Sequence, residues 1–257
     1  MNSLPQLMVA PNGARKSKTD HGQLPVTIRE TVQTAKACHR AGADAIHLHV
    51  RNTDGSHSLD ASLYREALDQ LAEQVPELAV QITTESAGQF TPLEQRQVIR
   101  DVMPHYVSIS VAEMLSVSWQ KAVDFYRWCA QETIAVQHIV YGQDDLNTLN
   151  TLLDNNELSQ RNLQLLYVLG RYTANQASDP EDLAPFLQWL TRNDVQADWA
   201  VCAFGKNETR CLQAALKVGG KVRVGFENSF WNYDGSLARD NAERVAEIRK
   251  VIDEMPT

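Results

Sequence analysis

The sequence predicts an α/β protein, a closed parallel (β/α)8 TIM barrel, on three observations. Eight short apolar runs recur along the chain, helical stretches separate them, and the length of 257 residues is that of one such barrel. The runs are LMVA (7–10), AIHLHV (45–50), LAVQITTE (78–85), HYVSISV (105–111), TIAVQHIVY (133–141), LQLLYVLG (163–170), DWAVCAFG (198–205) and KVRVGFE (221–227). Each has four to nine residues, the length of a strand. They are apolar without strict alternation, as strands covered on both faces are.

The first helix begins at Thr27, with Glu30 at capping-box spacing, and stops before Gly42, a C′ glycine. Asp54-Gly55 and Asp234-Gly235 mark turns. In the last helix, Leu237, Asn241, Val245, Ile248 and Ile252 form a mostly apolar stripe. Eight strands each followed by a helix suit one closed domain over 1–257 better than an open sheet. A doubly wound sheet is the alternative. No linker rich in Pro, Gly or Ser interrupts the chain.

Apolar residues make up 43% and charged residues 22%, enough for a large core. A net charge of -8 argues against a nucleic-acid partner. No apolar stretch approaches the roughly 20 residues that span a bilayer, and the start lacks a signal peptide's long apolar region. Cys38, Cys129, Cys202 and Cys211 form no CxxC pair, as expected of reduced thiols in a cytoplasmic protein.

His47 and His49 flank Leu48 in the second run. Alternation along a strand points both imidazoles to one face, inside a barrel. Two such rings can share a Zn2+, or sit hydrogen-bonded in a polar barrel mouth. In the eighth run Arg223, Gly225 and Glu227 share a face by period two. Strands two and eight flank strand one, so Glu227 can complete a His2Glu set with an open position, a catalytic type of zinc site. The plainer readings are a helix N-terminal anion for Glu227 and a structural ion pair for Arg223. Thr83 and Glu85 share a face near the end of the third run, and Ser108 and Ser110 do so in the fourth. Barrel active sites form at these C-terminal ends, where hydroxyls can hold a carboxylate or keto oxygen.

No GxGxxG, GxxxxGK[ST] or GxSxG motif is present. Lys221 lies at the wrong end of its strand for a Schiff base.

With these residues in view, the chain resembles the β-keto acid cleavage enzymes from about residue 8 to about residue 250. The resemblance rests on PNGA (11–14), AGADAIHLHVRNTDGSHSLD (41–60), YVLG (167–170), WAVCAFG (199–205), GGKVRVGFEN (219–228) and DGSLARDNAERV (234–245). It implies a TIM barrel assembled as a homo-oligomer, dimer or tetramer. It implies one Zn2+ per chain on His47, His49 and Glu227, with Arg223 beside the substrate and substrate-binding hydroxyls at Thr83 and Ser108. Ser110, Asn12 and Arg15 are expected to line the substrate with them. The implied reaction takes a β-keto acid and acetyl-CoA to acetoacetate and a new acyl-CoA. The metal polarises the keto oxygen.

The chain departs from that family's pattern at several positions. Asn228 stands where the family has an Asp, and an amide takes up no proton near pH 7. Gly142 replaces a glutamate after the fifth strand, Glu85-Ser86 replace a glycine pair, and Arg171-Tyr172-Thr173 replace a glycine-rich loop. Glu85 is therefore expected to supply the carboxylate missing at Asn228. Arg15 replaces a glutamate that binds an ammonium group, which predicts a substrate that is not a cationic amino acid derivative. The rival readings are a zinc aldolase or hydrolase that uses no CoA, and a degenerate barrel that binds a ligand without turnover.

Overall fold

The computed structural model describes residues 3–255. In chain order its strands are β1 (Leu7–Val9), β2 (Ala45–Leu48), β3 (Val50–Arg51), β4 (His57–Ser58), β5 (Ala79–Thr83), β6 (Tyr106–Ser110), β7 (Ala135–Val140), β8 (Gln164–Leu169), β9 (Asp198–Ala203) and β10 (Lys221–Val224). Eight of them close into a barrel in the order β1-β10-β9-β8-β7-β6-β5-β2, and every pairing in it is parallel. The open-sheet alternative is thereby excluded.

The α-helices are α1 (Ile28–Arg40), α2 (Ala61–Gln74), α3 (Pro92–Val102), α4 (Val111–Leu115), α5 (Trp119–Gln131), α6 (Gln143–Asp154), α7 (Ala184–Arg192), α8 (Glu208–Lys217) and α9 (Asn241–Asp253). Thr27 caps α1 in a full capping box with Glu30, and Thr91 does the same for α3 with Glu94. Gly42 follows the α1 C-cap at φ +106°, a conformation that a side chain disfavours.

Strand alternation sorts the apolar residues into two shells. Val9, Ile46, Leu48, Ile82, Val107, Leu165 and Val224 pack outward against the helices. Ile139, Leu166, Val168, Ala200, Cys202 and Phe204 fill the barrel. All four cysteines are buried and unpaired. Among the described residues no helix is long and apolar enough to cross a membrane.

Three boundaries differ from the sequence expectation. The run 45–50 stops as a barrel strand at Leu48, because Val50–Arg51 leave the barrel to pair antiparallel with His57–Ser58. The run 221–227 stops at Val224, because Gly225 turns the chain at φ +141°. Leu237 lies outside α9 and is 54% exposed, since Asp240 caps that helix.

Candidate metal centre and active site

The PNGA segment, the end of β2, the end of β5 and the turn after β10 meet at the C-terminal mouth of the barrel, the face where such barrels do chemistry. His47 Nε2 and His49 Nε2 lie 3.1 Å apart there. Glu227 Oε2 lies 3.7 Å from the first and 3.6 Å from the second. These three side chains are the one cluster among the described residues whose ligand atoms could hold a metal ion. Wider hollows exist, such as one of about 230 Å3 between α5 and residues 156–163. None of them gathers three such ligands, so chemistry rather than volume locates the site.

Hydrogen bonding fixes the state of His47. The Leu165 carbonyl can only accept, so Gln137 Nε2 donates to it at 3.3 Å. Gln137 Oε1 then accepts from Gln81 Nε2 at 3.0 Å. That leaves Gln81 Oε1 to accept from His47 Nδ1 at 2.8 Å. With Nδ1 protonated, Nε2 of neutral His47 carries a lone pair toward the centre. Burial, reinforced by the Arg223 guanidinium, holds this imidazole well below its usual pKa.

Glu227 arrives by a different route from the one alternation suggests. Because β10 ends before it, the turn at Gly225 delivers the carboxylate. A Cβ on Gly225 would stand 2.4 Å from the Ala10 carbonyl. The turn is held by Asn241, whose Oδ1 accepts from Phe226 N at 2.9 Å and whose Nδ2 donates to the Pro11 carbonyl at 3.0 Å. It is also held by Glu208, which accepts from Gly225 N at 3.3 Å and is clamped by the buried Arg244 at 2.8 Å. Gly13 lets the acid in, since a Cβ there would meet Glu227 Cγ at 2.6 Å. Burial would raise the Glu227 carboxyl, but the Arg223 guanidinium beside it holds it well below the usual carboxylate range.

The cluster fits a divalent ion. Four ligands at about 2.0–2.1 Å in a tetrahedron stand roughly 3.3 Å apart, and the observed edges are 3.1, 3.6 and 3.7 Å. Two ring nitrogens this close, one already a lone pair, need a shared proton or a shared cation between them. Glu227 Oε2 is buried and no protein donor reaches it. Two imidazoles and a carboxylate suit zinc and several other divalent metals.

Around the cluster, buried polar groups stand ready without partners. Arg223 is 3% exposed. Its Nη2 reaches Cys202 Sγ at 3.4 Å and stands 3.6 Å from Glu227 Oε1, while Nε and Nη1 have no partner. Ser108 Oγ is buried and unpartnered. Thr83 Oγ1 accepts from Glu85 N at 3.0 Å, so its hydroxyl proton is free to donate. Both amide atoms of buried Asn228 are unpartnered. Asn12 donates to the Pro25 carbonyl at 3.1 Å and the His49 carbonyl at 3.4 Å, tying the PNGA segment to the centre. Ser110 is committed as the cap of α4, accepting from Glu113 N at 3.3 Å. Arg15 is exposed beside a chamber of about 170 Å3 that reaches Glu227.

Glu85 lies past the end of β5, so strand parity does not place it, yet it reaches the centre. Its Oε2 stands 4.0 Å from His49 Nε2, and its Oε1 pairs with Arg171 at 2.9 Å.

Sequence reasoning missed several residues that shape the site. Arg51 donates through Nε to the Gly13 carbonyl at 2.9 Å and through Nη1 to the Gly55 carbonyl at 2.8 Å, locking the PNGA segment. His57 donates to the Glu85 carbonyl at 2.7 Å and lies 5.3 Å, ring to ring, from His49. Lys16 donates to the Phe226 carbonyl at 2.9 Å, and burial lowers its amine to about 8. Gln81 falls in the third run with the parity of Thr83, the signal that could have found it.

A closed parallel barrel carrying a His–His–Glu cluster that could hold a metal ion, among unpartnered donors at its C-terminal mouth, defines a class: TIM-barrel enzymes with a candidate metal site on the catalytic face. The chain belongs to the beta-keto acid cleavage enzyme family, whose model matches residues 6–257. That is a family of C–C-bond-cleaving transferases. It is similar to the 3-keto-5-aminohexanoate cleavage enzyme of Fusobacterium nucleatum, 23% identical over 249 residues, covering 95% of this chain and 89% of the relative. It is also similar to the 3-oxoadipate:acetyl-CoA acetyltransferase of Cupriavidus necator, 25% identical over 258 residues, covering 96% and 88%. Among solved structures, the ternary complex of ObcA with a C4-CoA adduct and oxalate shares the fold at a TM-score of 0.70 and 15% identity. The match covers 89% of this chain but only 63% of that one.

Proposed function

We propose that this chain, as one (β/α)8 domain, cleaves a β-keto acid with acetyl-CoA as co-substrate and Zn2+ on His47, His49 and Glu227. In the reaction R–CO–CH2–COO− and CH3–CO–SCoA give CH3–CO–CH2–COO− and R–CO–SCoA. The observation that carries this reading is the convergence of three ligand atoms within 4.8 Å at the mouth of the barrel. Acetyl-CoA enters because relatives bear it in their names.

His47, His49 and Glu227 would hold a divalent ion, which would supply Lewis-acid polarisation of the keto oxygen. The chain's own groups do the rest. Arg223 presents two unpartnered donor nitrogens, Nε and Nη1, to the negative charge that grows during cleavage. Thr83 and Ser108 offer hydroxyls to the carboxylate or keto oxygen, with Asn12 and Ser110 bordering the same mouth. Glu85 takes the proton that Asn228, an amide, cannot take. Arg15 disfavours a cationic tail. Homo-oligomeric assembly belongs to the same reading. So does a cytoplasmic setting, where four free thiols stay reduced.

A panel of β-keto acids, assayed with and without acetyl-CoA on metal-loaded protein, tests the proposal. Acetoacetate and acyl-CoA formed only when both substrates are present is the expected result. Cleavage without CoA points instead to an aldolase or hydrolase, and tight binding without turnover to a degenerate barrel. A panel in which 3-keto-5-aminohexanoate is the best substrate refutes the assignment of Arg15.

A further inference from the structure

The ion pair between Glu85 and Arg171 crosses the barrel mouth. Glu85 follows β5 and Arg171 follows β8, with β6 and β7 between them in the barrel order. Below the pair, against His47, Thr83, Arg223 and Glu227, the cavity is about 20 Å3. That is room for about one water molecule and far too little for a keto acid. On its other side lies the chamber of about 170 Å3 bordered by Asn12, Arg15, Lys16 and Gln176. Both spaces share Glu85, Arg171 and Glu227 as walls. Separating the two side chains joins the spaces into one site.

The two partners are not equally free to move. Arg171 stacks over the Phe204 ring with its Cζ 5.0 Å from the centroid. The segment after it is pinned by Ser178 Oγ donating to the Phe204 carbonyl at 2.7 Å and Asn207 Nδ2 donating to the Ser178 carbonyl at 3.0 Å. Glu85 has a short side chain whose other oxygen already faces His49 at 4.0 Å. With Glu227 committed to the metal and Glu85 turned toward it, the chamber's remaining charges are Arg171, Arg15 and Lys16, all cationic.

We propose that Arg171 is the specificity-determining residue, and that the substrate is a β-keto acid with a second carboxylate, which displaces Glu85 from Arg171. The inference rests on the reading of the His–His–Glu centre as the active site. The distal carboxylate exchanges with that of Glu85 on the guanidinium, one charge-assisted pair for another. The freed Glu85 then faces the reacting end. A substrate without the distal charge leaves the pair closed and the space above the metal small.

Calorimetric binding of 3-oxohexanedioate and 3-oxohexanoate, which differ only in the terminal carboxylate, tests this on metal-loaded protein. The wild type is expected to bind the diacid at least tenfold more tightly. Arg171→Gln removes that preference, Arg171→Lys restores part of it, and Glu85→Gln tightens diacid binding by freeing the guanidinium. Equal affinities in the wild type, or an unchanged preference in Arg171→Gln with a normal melting temperature, overturns the assignment. If Arg171→Gln does not fold, weaker diacid binding by Glu85→Gln overturns it instead. Diacid preference without turnover of any keto acid sinks the active-site reading and leaves the Arg171 assignment standing.

Discussion

At the scale of single residues, the candidate metal site depends on which nitrogen of His47 carries its proton. The relay from Leu165 through Gln137 and Gln81 settles that, and an aliphatic side chain at Gln81 breaks it. Gln81→Leu is expected to weaken metal binding by about 10- to 100-fold, the range for partners of metal-bound histidines, as read by competition with a chelator. Glu85→Gln is expected to lower turnover by about 100-fold or more while the metal stays bound, since loss of a general base costs that much. Near-normal turnover in that variant excludes Glu85 as the base. His47 and His49 were legible from their spacing, since alternation turns both rings to one face, and Glu227 from strand order, although a turn at Gly225 rather than parity delivers it. Gln81, Arg51 and His57 were not, because their roles come from hydrogen bonds to partners distant in the chain.

At the scale of elements, the eight strands were legible as apolar runs, and their ends were not. Both ends that mattered were set by tertiary contacts that periodicity does not carry. Val50–Arg51 are recruited by His57–Ser58, and Gly225 breaks β10 where the chain must pass the Ala10 carbonyl. Arg223 and Glu227 therefore meet at 3.6 Å across a turn, where period two had set them along one strand face. Gly225→Ala tests the importance of that turn. The new Cβ clashes with backbone at a φ that alanine avoids, so a loss of about 1–3 kcal/mol is expected in urea unfolding. A matching fall in metal affinity is expected too, because the turn carries Glu227.

At the scale of the whole molecule, the shell between barrel and helices gives a stability signature. His138, on the outer face of β7, lies edge-on to the Tyr126 ring at 4.9 Å. Burial lowers its imidazole from 6.5 to about 4. The unfolded chain therefore binds a proton that the folded one refuses, so stability falls as pH drops from about 6.5 to about 4 and is fully present above that window. For this group the loss is on the order of 3 kcal/mol. Urea unfolding at pH 7 and pH 4.5 is expected to show a smaller difference in His138→Asn than in the wild type.

The proposed function turns on one divalent ion binding His47, His49 and Glu227 together. Calorimetric titration of metal-stripped protein with Zn2+ tests it most directly. One ion per chain is predicted for the wild type, with that binding lost in each of His47→Ala, His49→Ala and Glu227→Gln. Equal zinc binding by the wild type and all three variants would contradict it.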